Sequence, residues 1–108
     1  MRLVEYLNDK GKSPFATWFN RINAQAAAKV TTALVRLEAG NTSNAKSVKG
    51  GVYELKIDFG PGYRVYFAYD GTEIVILLGG GTKKRQSKAV DIAKTRWADY
   101  KARKKKEK

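Results

Sequence analysis

The sequence predicts an α+β fold: a small twisted, mainly antiparallel sheet with an N-terminal helical hairpin and a C-terminal helix. Three stretches of distinct hydrophobic pattern predict it. Apolar residues recur at helical spacing from about residue 13 to 38, alternate over 52–58 and 63–69 and run together over 74–78 as strands, and return to helical spacing after 87. A chain of 108 residues holds one such domain. We assign it residues 1–100, followed by a basic tail at 101–108.

Each element has its own local signal. Residues 2–7 (RLVEYL) read as a short strand, rich in apolar and aromatic side chains. Ser13 and Pro14 start a helix, the serine as N-cap and the proline at the first helical position. Phe15, Trp18, Phe19 and Ile22 then share one helical face. Asn23 interrupts that face. A second helix is expected over 24–38, with Ala26, Val30, Ala33, Leu34 and Leu37 as its stripe, and Gly40 closes it. Residues 41–51 read as a polar loop.

The period then shortens to two. Over 52–58, Tyr53, Leu55 and Ile57 face one way; Glu54, Lys56 and Asp58 face the other. Gly60, Pro61 and Gly62 make a turn. Over 63–69, Tyr63, Val65, Phe67 and Tyr69 oppose Arg64, Tyr66 and Ala68. Asp70 and Gly71 signal a hairpin. Residues 73–78 form the third strand of this meander, and Gly79, Gly80 and Gly81 read as a turn at its end. The first strand is expected to join the same sheet, at an edge the sequence does not specify. The last helix spans about 87–101, with Ala89, Ala93, Trp97 and Tyr100 on one side. Trp18 and Trp97 lie on apolar stripes and read as core. The charge run at 101–108 reads as a solvated, frayed tail.

Composition narrows the function classes. A hydrophobic share of 43% excludes wholesale disorder. The longest apolar run, residues 74–78, is far too short to cross a bilayer, and residues 1–5 lack a secretory signal. A cytosolic location without membrane attachment is the expectation. The chain has no cysteine and no histidine. There is thus no disulfide framework and no thiolate metal site, and no metal or cofactor is expected. Chemistry falls to Lys, Arg, Tyr, Gln and carboxylates. The formal charge is +12, which favours a polyanionic partner. Residues 83–108 alone hold twelve basic and three acidic residues, so most of the surplus sits at the C-terminal end.

One constellation suits phosphate chemistry. Regular alternation puts Glu54 and Lys56 on the same sheet face as Arg64 and Tyr66. The basic segment Lys83, Lys84 and Arg85 leaves the sheet nearby, and glycines let a phosphate approach the backbone. Such a surface fits metal-independent RNA cleavage by attack of the 2′-hydroxyl on the adjacent phosphorus. That reaction needs a base, an acid and cations for the phosphorane charge. Like charges disfavour one another, so Lys56, near Arg64 and Lys83, is the candidate base. Arg64 offers a planar fork to phosphate. Tyr66 stacks on a base or donates a proton. Glu54 and Lys56 also fit an ordinary exposed cross-strand pair, and Arg64 fits a pair with Glu54 or Asp58. The residues alone support a basic, phosphate-attracting domain.

Several stretches resemble a known family. They are GVYELKI from Gly51, GPGYRVYF from Gly60, Leu77 to Gly80 with Lys83 and Gln86, and Asp91, Ile92 and Ala93. They resemble the addiction-module killer proteins of the RelE/ParE superfamily of bacterial toxins, on the HigB-like branch. The resemblance covers nearly the whole chain. It implies a RelE-like α+β fold and a toxin of a type II toxin–antitoxin pair, which acts as a ribosome-dependent mRNA endonuclease. It implies a helix-turn-helix antitoxin, the ribosome and mRNA as partners. Lys56, Arg64 and Lys83 take the family's basic positions, with Tyr66 and Glu54 behind them. Lys84, Arg85, Gln86 and Lys88 extend the RNA-binding surface. Two features depart from the family. No late histidine is present, and Gly81 and Thr82 stand where the family carries an acidic residue. Two alternatives stay open: a ParE-like gyrase inhibitor without nuclease activity, and an inert basic RNA-binding module.

Overall fold

The computed structural model describes residues 1–107. The element order is β1 (Arg2–Glu5), α1 (Pro14–Phe19), α2 (Ala24–Glu38), β2 (Ala45–Ser47), β3 (Val52–Ile57), β4 (Tyr63–Asp70), β5 (Ile74–Thr82), a 3₁₀ turn (Lys83–Arg85) and α3 (Gln86–Lys106). The five strands form one sheet in the order β1-β5-β4-β3-β2. The meander and β2 are antiparallel, and β1 joins parallel to β5. The fold class is therefore α+β with a mostly antiparallel sheet, as the periods predict.

The helix starts follow their caps. Ser13 Oγ accepts from the Ala16 N–H at 3.0 Å, and Asn23 Oδ1 accepts from the Ala26 N–H at 2.8 Å. Asn23 only opens α2, because α1 already ends at Phe19 with Asn20 as its C-cap. Ile22, expected on the same helical face, packs on the core from the turn between them. One sheet face packs against α1 and α2 around Phe15, Val30, Leu37, Leu55, Val65, Phe67 and Leu77. The other packs against α3 around Val52, Tyr66, Ala68, Ile76, Leu78, Ala93 and Trp97. Covered on both sides, β4 is buried from Tyr63 to Ala68. The sheet is the middle layer of three.

Four further sequence expectations need correction. The polar loop at 41–51 contains β2, a three-residue edge strand that pairs Lys46 with Glu54. The first strand stops at Glu5 rather than residue 7. The glycines Gly79, Gly80 and Gly81 are not a turn: they continue β5, opposite Tyr66, Val65 and Arg64. They serve packing. A Cβ on Gly80 would stand 2.3 Å from the Trp18 ring, so only glycine lets α1 lie this close. A register shift opposite Tyr66 and Phe67 leaves Leu78 as the extra residue. Its carbonyl accepts from Arg96 Nη1 at 2.9 Å. Burial lowers the Arg96 pKa from its ordinary value.

The fourth correction concerns the basic tail. α3 runs through Lys106, well past residue 101, and Lys108 lies outside the described residues. Two clamps hold its last turns. Asp70 accepts from Tyr100 and pairs with Lys104. Asp99 accepts from Tyr6 at 2.7 Å and from Arg103. Those hydrogen bonds from Tyr6 and Arg103 hold the Asp99 carboxyl below its ordinary pKa. Among the described residues, no helix is long and apolar enough to cross a membrane.

Candidate functional site

The sheet register builds a cationic hollow against the start of α3. Two rows of cross-strand neighbours face that side. One runs Lys46, Glu54, Tyr66; the next runs Lys56, Arg64, Gly81. Gly81 brings no side chain, and α3 enters close above it: a Cβ there would meet Ala89 Cβ at 3.4 Å. The 3₁₀ turn brings Lys83 to the same place, its N–H donating to the Gly62 carbonyl at 2.8 Å. Gly62 has φ +82°, and a Cβ on it would press on Arg64 Nη1 and Lys83 Cβ. Glycine there lets the two cationic chains close up. The hollow has a volume of about 460 Å³ and is lined by Lys46, Glu54, Lys56, Arg64, Lys83 and Gln86, with residues 43–45 at its rim.

Glu54 is the buried centre of this arrangement, only 1% exposed. Oε2 accepts from Gln86 Nε2 at 2.7 Å and from the Tyr66 hydroxyl at 3.2 Å. Oε1 lies 3.4 Å from Arg64 Nε and 4.0 Å from Lys46 Nζ. Arg64 is 4% exposed, and its Nη1 donates to the Tyr63 carbonyl at 3.1 Å. Its Nε makes only the long contact with Glu54 and no hydrogen bond. A buried guanidinium with spare donor capacity is poised for an anion. Burial, and then the Glu54 carboxylate, raises the Tyr66 phenol above its ordinary pKa, so it stays protonated. The Tyr66 ring is enclosed and offers no face to a stacking base.

The predicted residues therefore separate into three groups. Glu54, Lys56, Arg64, Lys83 and Gln86 line one hollow, with Tyr66 beneath it. Glu54 is no exposed strand charge: α3 covers it and Gln86 seals it. Arg85 and Lys88 line a second hollow with Trp18 and Arg21. Lys84 is exposed and lines neither. Lys46 was missed, because Ala45, Lys46 and Ser47 are too few to show an alternating period. Among the described residues no three His, Cys, Asp or Glu cluster as metal ligands.

Comparison with known proteins gives two matches. The model of the family described as phage derived protein Gp49-like (DUF891) matches residues 17–99. An uncharacterized protein of Haemophilus influenzae (strain Rd) is 43% identical over 81 residues, which cover 74% of this chain and 82% of that protein. The matched span of the family model takes in every strand from β2 to β5 and each of the six residues around the buried carboxylate. The chain belongs to the family of phage-derived Gp49-like proteins.

Proposed function

We propose that this protein is the toxin of a toxin–antitoxin pair, of RelE/ParE type, and that it cleaves mRNA on the ribosome. One observation carries the reading. Four cations from β2, β3, β4 and the 3₁₀ turn face one hollow around a single buried carboxylate. Such a hollow fits a backbone phosphodiester. Membership of the phage-derived family and the surplus of +12 support the same reading.

The geometry suggests a division of labour. Arg64, held by Glu54, faces the non-bridging phosphate oxygens and takes up charge as the phosphorane forms. Lys56 and Lys83 are exposed and reach substrate directly. One of them accepts the 2′-hydroxyl proton. The 2′-oxygen then bonds to phosphorus, the bond from phosphorus to the 5′-oxygen breaks, and the other ammonium protonates that leaving oxygen. The products are a 2′,3′-cyclic phosphate and a free 5′-hydroxyl. Glu54 is a positioning residue in this scheme, because both its oxygens are engaged and it is closed to substrate. The neutralising partner is a helix-turn-helix antitoxin, and the site of action is the cytoplasm.

The test is induced expression followed by mapping of mRNA ends. Cuts within codons are expected for the wild type. Lys56→Ala and Lys83→Ala are each expected to reduce cutting by about 100-fold or more, the scale of a lost acid or base, with unchanged melting temperature. An SOS response with intact mRNA would point to a gyrase inhibitor. Absence of any growth defect would point to an inert RNA-binding module.

A further inference from the structure

β5 outruns its outer neighbour. β1 pairs with it only from Arg2 opposite Ile74 to Glu5 opposite Leu77. The Tyr6 N–H closes that ladder on the Leu77 carbonyl at 2.9 Å. β5 continues to Thr82, still paired with β4 on its inner side. There the bond from Lys83 N–H to the Gly62 carbonyl sets the phase. Bonded positions alternate along an antiparallel ladder. Gly79 and Gly81 therefore direct their amides and carbonyls to β4, while Gly80 and Thr82 direct theirs outward. Among the described residues, no strand lies on that side and no hydrogen bond reaches those outward groups.

This open edge lies in the second hollow, of about 510 Å³. Trp18 and Ile92 wall it; Arg21, Arg85 and Lys88 stand around it. The three cations are exposed, and none forms an ion pair among the described residues. No lining residue is shared with the first hollow. Outward N–H and C=O groups, spaced two residues apart, match the backbone of an extended peptide. Phosphate oxygens only accept, and would leave the Gly80 and Thr82 carbonyls unpaired. Three unneutralised cations select carboxylates on that peptide, and Trp18 and Ile92 select apolar side chains between them.

We infer that the free edge of β5 from Gly80 to Thr82 is a docking site for a short, extended, acidic segment of a partner polypeptide, which adds to the sheet beside β5 beyond the end of β1. The probe is a labelled synthetic peptide of alternating valine and glutamate, followed by fluorescence anisotropy and amide NMR. Binding should shift the Gly80 and Thr82 amides and slow their exchange about tenfold or more, leaving the Gly81 amide unmoved. Arg85→Glu combined with Lys88→Glu should weaken binding about tenfold or more. Thr82→Pro removes one outward N–H and should weaken it similarly; if that variant fails to fold, the amide signals of the wild type decide. A peptide of alternating proline and glutamate carries the same charge without the ladder donors, and should not bind. Equal binding of the two peptides would overturn the proposal. So would no binding of the first peptide at millimolar concentration, or a single-stranded oligouridine that moves those amides when the peptide does not.

Discussion

Glu54 shows how one side chain couples stability to the site. It accepts from Gln86 and Tyr66 and faces Arg64, all within the buried floor of the hollow. Glu54→Gln keeps the shape but strips the charge opposite a buried guanidinium. Removal of one partner from a buried ion pair costs about 3–5 kcal/mol. A denaturant titration should show a loss of that order, whereas Lys56→Gln, exposed two residues away, should stay within about 0.5 kcal/mol. Alternation placed Glu54, Lys56, Arg64 and Tyr66 on one face from sequence alone. It did not distinguish the buried members from the exposed ones. That distinction depends on α3, whose approach over Gly81 and whose Gln86 bond are long-range events.

Elements that announce themselves by local chemistry were legible. The Ser13 and Asn23 caps open α1 and α2 and the left-handed Gly40 closes α2 at the expected residues, whereas α1 stops at Phe19, short of Ile22. Where tertiary packing overrides local preference, the signal misled. Glycines suggested a turn, yet close contact with Trp18 keeps them in β5. Gly80→Ala should therefore destabilise by about 1–3 kcal/mol, the usual cost of overpacking. Combined with Trp18→Ala it should cost less than the sum of the two single changes in thermal unfolding. The charge run suggested a solvated tail, yet Asp70 and Asp99 clamp α3 to the sheet and to β1's end. Burial, then the hydrogen bond to Asp70, pushes the Tyr100 phenol up from 10.0 to about 12. A phenol that keeps its proton longer in the folded state stabilises fully below pH 10.0, and the contribution is lost as pH rises through about 12. Stability between those values should fall more steeply for the wild type than for Tyr100→Phe, measured by chemical unfolding at each pH.

For the whole molecule, charge sets the range of attraction while the hollow sets the geometry of contact. On the proposed function, a surplus of +12 predicts single-stranded RNA binding that weakens steeply with salt. Removing one phosphate contact with Lys56→Ala should reduce the log–log salt slope by about 0.7. Lys84→Ala, outside both hollows, should change that slope without abolishing cleavage. The net charge was plain in the sequence. The partition of its basic residues between two separate hollows was not, because the 3₁₀ turn sends Lys83 one way and Arg85 the other.

The hydrogen bond from Gln86 to Glu54 joins positions 32 residues apart, and β1 waits for β5 before it has any strand beside it. During biosynthesis α3 emerges after every strand. A nascent chain whose residues 74–86 have not yet emerged has neither the sealed carboxylate nor a completed sheet. The cationic hollow is therefore a late product of folding, complete only once the last strand and the start of the last helix are in place.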